Sequence, residues 1–305
     1  MMFSQFLRTT YAQSSTIKTM SQDLLKLSMS KYIKNIVLTS RPLNVFISIA
    51  TTILAANMLD LNNNNLLIRM MIVVATSVFI ANALNDMFDY KVDTINRPNR
   101  PLASGSISLN ALTLTIIAMF IINIIVLTSL NVMAFYFCLC LIYPMIVMYT
   151  PLFKPSPLTG NAVISSILGF VFLFVDICIN KTISNMFPPF ILAFMLTMIR
   201  EIVKDMQDLD GDKKMNLNTL PNVVGIEKSI YIIKLLSLIL FISGLFLWNV
   251  LDLSIYYLAT FTMLIVLPTG YTAMKINKGL SFSAAVDVLK ICTVAGLVVI
   301  YFMKL

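Results

Sequence analysis

The chain has 305 residues, 58% of them hydrophobic and only 12% charged, with a mean hydropathy of +0.88. Soluble domains carry roughly 45–50% apolar and about 25% charged residues, which excludes an ordinary soluble enzyme, a disordered tail and, despite a net charge of +8, a nucleic-acid binder. Histidine is absent, and Cys138, Cys140, Cys178 and Cys292 lie inside apolar runs without C-x-x-C spacing, so neither a zinc site nor a disulfide framework is supported.

Residues 1–40 are polar, basic and poor in acids, with Arg8, Lys18, Lys26, Lys31 and Lys34 against a single Asp23. They lack the apolar core of a signal peptide and read as an amphipathic entry to the first span, with an organelle transit peptide as the alternative. Length alone points to about two domains, but the apolar runs that follow are spaced as membrane spans and make 41–305 one domain. A span takes about 20 mainly apolar residues. Nine stretches qualify: 42–59, 66–85, 109–129, 132–150, 161–180, 187–204, 229–249, 252–274 and 284–303. The expected fold is therefore an all-α membrane bundle of about nine transmembrane helices. Lys and Arg collect on one side, in the N-terminal segment and the loops after the second, fourth, sixth and eighth spans. The opposite side holds little beyond Arg69, Lys181 and Lys304. By the positive-inside rule the loaded side is cytoplasmic.

With charge this scarce, its placement is informative. Of 14 acidic residues, eight fall in two windows on that loaded side: Asp86, Asp89 and Asp93, then Glu201, Asp205, Asp208, Asp210 and Asp212. In the first, NALNDMFDYKVD, residues Asn85, Asp89 and Asp93 recur at every fourth position and share one helical face, with Asp86 near the same stripe. In the second, REIVKDMQDLDGD, Glu201, Asp205, Asp208 and Asp212 repeat the pattern. The windows lie four spans apart, and each is trailed by a basic stretch with Pro and Gly, as in an internal repeat of two four-helix units plus one helix. Carboxylates stacked on one stripe repel each other unless a cation sits among them, and ligands that are all oxygen suit a hard ion such as Mg2+. Ringed by Arg97, Arg100, Lys154, Arg200 and Lys204, two such stripes form a site for metal and diphosphate. A solvated loop held out of the bilayer would explain one cluster, but not two matched ones on the same face. A transporter would place its acids near the midplane, and a scaffold has no use for them.

The run Asn85-Asp86-x-x-Asp89-x-x-x-Asp93, then Arg100-Pro101-x-x-Ser104-Gly105, with the later Asp208-x-x-x-Asp212, resembles the UbiA superfamily of intramembrane prenyltransferases. The likeness runs from residue 41 to about 300 and includes Arg41-Pro42-x-Asn44 and Tyr149, Lys154 and Gly160-Asn161. It implies a nine-helix bundle with a central cavity, and Mg2+-dependent transfer of a prenyl group from its diphosphate. It assigns metal binding to Asn85, Asp89, Asp93, Asp208 and Asp212; the stripe reading adds Asp86. Within the superfamily, Arg200-Glu201-Ile202-x-Lys204-Asp205-x-x-Asp208 with Gly211-Asp212 and Thr219-Leu220-Pro221 is similar to the archaeal-type geranylgeranylglycerol-phosphate geranylgeranyltransferases. Asn216 and Asn218 depart from that pattern, which bears on substrate choice and not on the reaction.

That resemblance implies a geranylgeranyl diphosphate donor and a lipophilic glyceryl ether phosphate acceptor whose hydroxyl becomes an ether; an aromatic, quinone-precursor or tetrapyrrole acceptor is the alternative. Arg97, Arg100, Lys154 and Lys204 are expected on the donor's diphosphate, with Asn44 and Tyr149 also on substrate. Arg41, Lys91 and Arg200 are candidates for the acceptor's phosphate, and Glu201 or Asp205 for taking the hydroxyl proton. The reading places the protein in the cell membrane, with its site on the cytoplasmic side.

Overall fold

The computed structural model describes residues 29–214, 217–276 and 278–304, so residues 1–28 of the N-terminal segment and Asn216 lie outside the described residues. The described chain is a helical bundle. Its elements are α1 (Met29–Thr39), α2 (Pro42–Met58), α3 (Asn64–Phe88), α4 (Tyr90–Asn96), α5 (Leu109–Leu127), α6 (Val132–Phe153), α7 (Thr159–Asn180), α8 (Phe187–Gln207), α9 (Leu209–Lys214), α10 (Leu220–Val224), α11 (Ile226–Val250), α12 (Ile255–Lys275) and α13 (Phe282–Phe302).

All nine apolar stretches are helical, within a few residues of the expected limits, but nine full spans are not established. Seven helices among the described residues are long and apolar enough to cross a membrane, or eight if α1 and α2, bent by 60°, count as one span. The shortfall has two causes. Helix α2 has only 17 residues, and α8 carries Arg200, Glu201, Lys204 and Asp205 in its last two turns.

Helix starts follow the sequence closely. Asn63, Ser108, Asn131, Ser254 and Ser281 each accept a hydrogen bond from the backbone N–H three residues on, satisfying a donor that the first turn cannot pair internally. Two spans are less regular than their apolar runs imply. Helix α6 widens to π turns at Cys138–Ile142 and Tyr149–Phe153, and α12 does so at Thr262–Val266. Each lies at or just before a proline (Pro144, Pro151, Pro268), whose missing N–H and ring disturb the regular hydrogen-bond ladder.

Helix α8 sits centrally, packed on α7, α11 and α13, while α3 packs on α2 and α5. The main core runs through the bundle, and a smaller one (Phe79, Ile80, Ala83, Leu102, Ile107, Leu112, Ile116) anchors the loop after α4 to α3 and α5. Helix α1 closes on that region: the Asn35 side chain donates to the Ser106 carbonyl at 2.6 Å, and the Tyr32 and Thr115 hydroxyls meet at 2.5 Å.

Candidate active site

The two acidic windows share one local architecture. Helix α3 ends at Phe88, Asp89 sits at the break (φ −82°, ψ 4°), and short α4 carries Asp93. Helix α8 ends at Gln207, Asp208 sits at an equivalent break (φ −87°, ψ 3°), and short α9 carries Asp212. Hydrogen bonds between residues four apart continue across both breaks: Asp89 N–H to Asn85 and Asp93 N–H to Asp89 at 2.8 Å, Asp208 N–H to Lys204 at 3.0 Å and Asp212 N–H to Asp208 at 3.1 Å. The four-residue stripe therefore survives a helix break, and the repeat read from charge spacing has a counterpart in the backbone.

The folded chain then brings the windows together. Arg97, just after α4, donates to Asp208 at 2.7 Å. Helix α9 approaches so closely that a Cβ on Gly211 would overlap the Asn96 carboxamide, which would have to move aside. Lys154, at the end of α6, donates to both oxygens of Asp89 at 2.6 Å. Its own backbone is pressed against the start of α7: a Cβ on Gly160 would lie 2.9 Å from the Lys154 Cα.

These residues surround one cavity. Asn85, Asp89, Asp93, Asp208 and Asp212 line it together with Arg41, Asn44, Arg97, Tyr149, Lys154, Arg200, Glu201, Lys204 and Asp205. Three expected site residues lie outside that lining. Asp86 is buried with its Oδ1 accepting from Arg41 at 2.6 Å and Arg100 at 3.0 Å. It thus fixes two arginines, one helical position off the stripe that faces the cavity. Arg100 also pairs with Asp93. Lys91 is exposed, because neighbouring positions of a short helix point to different sides. Arg41 itself sits in the bend between α1 and α2 with a positive φ of 52°, a conformation costly for a side chain of its size, and reaches across to Asp86.

Burial raises the Asp93 carboxyl above its ordinary value, opposed by Arg100, and burial raises that of Asp212, opposed by Lys154. Crowded carboxylates with partly compensated charge are the setting in which a further cation is welcome. Among the described residues no three such groups converge closely enough to grip an ion; oxygens of Asp89, Asp93 and Asp208 are engaged by Lys154, Arg100 and Arg97 instead. The donor chemistry nonetheless fits a hard divalent cation: every candidate ligand offers oxygen. Beside Asp212, the buried hydroxyl of Thr219 has no hydrogen-bond partner among the described residues, although it is near enough to favour that carboxylate.

The polar mouth continues into an apolar arm, and a second apolar cavity lies beside it. The first continues past Ser77 to Val73, Val74, Ile142 and Phe174. The second lies between α2, α7, α8, α11, α12 and α13, lined by Leu192, Leu240, Phe261, Ile265 and Leu297. Asn44, Leu168, Val171 and Arg200 line both. Nothing in the sequence pattern announced the second arm. Asn161, named in the sequence only as part of the resemblance, donates from its side chain to Asp205 at 2.7 Å, and the unforeseen Thr150 donates its hydroxyl to Asn85 at 3.1 Å.

Residues 45–284 match the model of the UbiA prenyltransferase family. The chain belongs to the UbiA prenyltransferase family. As a UbiA protein with seven to eight apolar helices, it is a multi-pass membrane protein of all-α fold. It is 34% identical over 151 residues to the digeranylgeranylglyceryl phosphate synthase of Natronomonas pharaonis, a match covering 50% of this chain and 54% of that protein. The chain thus spans about half the length of the curated relatives it first matches. The solved structure of digeranylgeranylglyceryl phosphate synthase in membranes superimposes with a TM-score of 0.70 at 25% identity, covering 91% of this chain and 98% of that one. A UbiA homologue from Archaeoglobus fulgidus, bound to DMAPP and Mg2+, superimposes with a TM-score of 0.64 at 19% identity, over 87% and 99% of the two chains. That second likeness speaks for the UbiA fold.

Proposed function

We propose that the protein transfers a geranylgeranyl group from its diphosphate to the free hydroxyl of a glyceryl ether phosphate, forming a membrane ether lipid precursor. The observation that carries this reading is the pair of apolar cavities lying side by side, which share Asn44 and Arg200 next to the acidic windows. Joining two long lipids needs two apolar channels that converge on the reacting atoms, whereas a small aromatic acid needs one. The names of the relatives and the Mg2+ and prenyl diphosphate bound by the Archaeoglobus homologue support the reading.

In this scheme the donor's diphosphate lies at the mouth, where Arg97 and Lys154 exchange carboxylate partners for phosphate oxygens and Lys204, kept on Glu201, turns a further N–H to them. Asn85, Asp89, Asp93, Asp208 and Asp212 would hold Mg2+, which when bound supplies charge that neutralises the departing diphosphate. The allylic C1–O bond weakens as its electrons move to that stabilised leaving group. Asn44 and Arg200, which line both cavities, and Arg41, which lines the first, are placed for the acceptor's phosphate, and Lys91 is not; Arg100, expected on the donor's diphosphate, does not line the cavity. Arg100 instead holds Asp86 and Asp93 in position. The bias of Lys and Arg toward this end supports a site on the cytoplasmic side of the cell membrane, with residues 41–305 proposed to act as a single domain.

The test offers membranes containing the protein labelled geranylgeranyl diphosphate with a phosphoglyceryl ether or an aromatic acid. The expected outcome is Mg2+-dependent diphosphate release and a prenyl ether with the first acceptor only; transfer solely to the aromatic acid would refute the reading. Gly296 lines the second arm, with open space where a Cβ would go. Gly296→Leu is expected to raise the acceptor KM by about tenfold and leave the donor KM unchanged, since filling an apolar site by a few methylene groups removes roughly 1–3 kcal/mol of binding.

A further inference from the structure

We infer that Asp205, and not Glu201, takes the proton from the acceptor hydroxyl, while Glu201 acts as the anchor of two phosphate-binding cations. This assignment rests on the transfer reading above. The two carboxylates lie one turn apart on α8 and line the same cavity, yet their surroundings differ. Glu201 is only 4% exposed. Its Oε1 accepts from Arg200 at 2.9 Å and its Oε2 from Lys204 at 2.7 Å. With both oxygens held by cations it is a poor proton acceptor, and its removal would release Arg200 and Lys204.

Asp205 has no cationic partner of this kind. Its Oδ2 accepts from the Asn161 side-chain amide at 2.7 Å, and its Oδ1 accepts no hydrogen bond among the described residues. Lys204, the nearest cation on the same helix, is turned to Glu201. Asn161 is buried one position beyond Gly160, so the amide that orients Asp205 stands on the tightly packed start of α7. A carboxylate fixed at one oxygen, open at the other and facing the cavity has the geometry of a general base. The step balances: the C1–O bond breaks with its electron pair on the diphosphate, the acceptor oxygen forms the new C–O bond, and its proton passes to Asp205 Oδ1.

The experiment compares Asp205→Asn, Asp205→Glu and Glu201→Gln, measuring transfer kinetics with the phosphoglyceryl ether and, separately, binding of labelled geranylgeranyl diphosphate. Loss of a general base lowers a rate by about 10²–10⁴, so Asp205→Asn is expected to lower kcat by about 100-fold or more with donor affinity retained. Asp205→Glu should recover at least part of that loss. Glu201→Gln should raise the donor KM, through Lys204, and the acceptor KM, through Arg200, several-fold with a far smaller change in kcat than Asp205→Asn, because it loosens binding and not chemistry. An Asp205→Asn enzyme with near-parental kcat overturns the assignment, as does a Glu201→Gln enzyme with an equal loss of kcat. A parent chain inactive with every acceptor overturns the transfer reading, and this assignment with it.

Discussion

The two ends of the bundle use buried carboxylates in opposite ways. At the end away from the site, Asp176 is fully buried near the end of α7. Its Oδ1 accepts from the side chains of Asn180 at 2.9 Å and Asn185 at 3.2 Å, and its Oδ2 from the backbone N–H groups of Asn185 at 2.9 Å and Met186 at 3.2 Å. All its partners are neutral and local, and together they tie α7 to the start of α8. At the other end Asp89, Asp93 and Asp208 face Lys154, Arg100 and Arg97, which come from other elements or from loops. A neutral amide cage cannot be exchanged without unfolding its turn. A long cationic side chain can swing to a phosphate while a metal takes its place, so burial alone does not separate a structural carboxylate from a working one; the partners do.

The comparison makes graded predictions. Asp89→Asn or Asp208→Asn should have the largest effect, lowering prenyl transfer by about 10²–10³ or more in saturating Mg2+, the scale seen when one preorganised charge is removed from a transition state. Detergent stability should be near that of the parent. Near-normal turnover in either variant would remove that carboxylate from the site. Asp176→Ala should reverse the pattern: about 3 kcal/mol of stability lost, because buried donors are left unpaired, with the turnover of the folded fraction kept. A denaturation midpoint at the parental value would show that the cage carries no load. Lys154→Ala is expected to weaken donor binding by roughly tenfold, as for one charge-assisted contact to phosphate; unchanged donor affinity would take Lys154 off the diphosphate. The smallest effect is expected of Lys304→Ala. Lys304 reaches Asp60 at 2.6 Å, but Asp60 is 82% exposed, and such pairs contribute about 0.2–1 kcal/mol. A loss well above that range would mean that the C-terminal clasp onto α2 matters more than its exposure implies.

Much of this was readable in one dimension. The spans announce themselves because a bilayer demands long apolar runs, and Asn63, Ser108 and Asn131 mark helix starts because their side chains pair orphan N–H groups. The windows stand out because charge is rare here and periodicity puts every fourth residue on one face. Other features depend on where the backbone goes. Asp86 and Asp89 are equally acidic and three residues apart, yet one binds two arginines under the loop and the other lines the cavity. Lys91 and Arg97 look alike in the sequence, but only Arg97 reaches the second window. The prolines of α6 and α12 were visible, whereas the π turns they accompany were not.

By itself, then, the sequence determined an all-α membrane bundle, two acidic windows of matched spacing, and the cations around them, since hydrophobic run length and helical period are local properties of the chain. Only the tertiary structure decided which carboxylates share the cavity, which are tied to arginine, that two apolar cavities share Arg200, and that Asp205 keeps an open oxygen while Glu201 does not. Those outcomes depend on contacts between residues far apart in sequence, such as Arg97 with Asp208 and Asn161 with Asp205, and no local pattern encodes the distance between them.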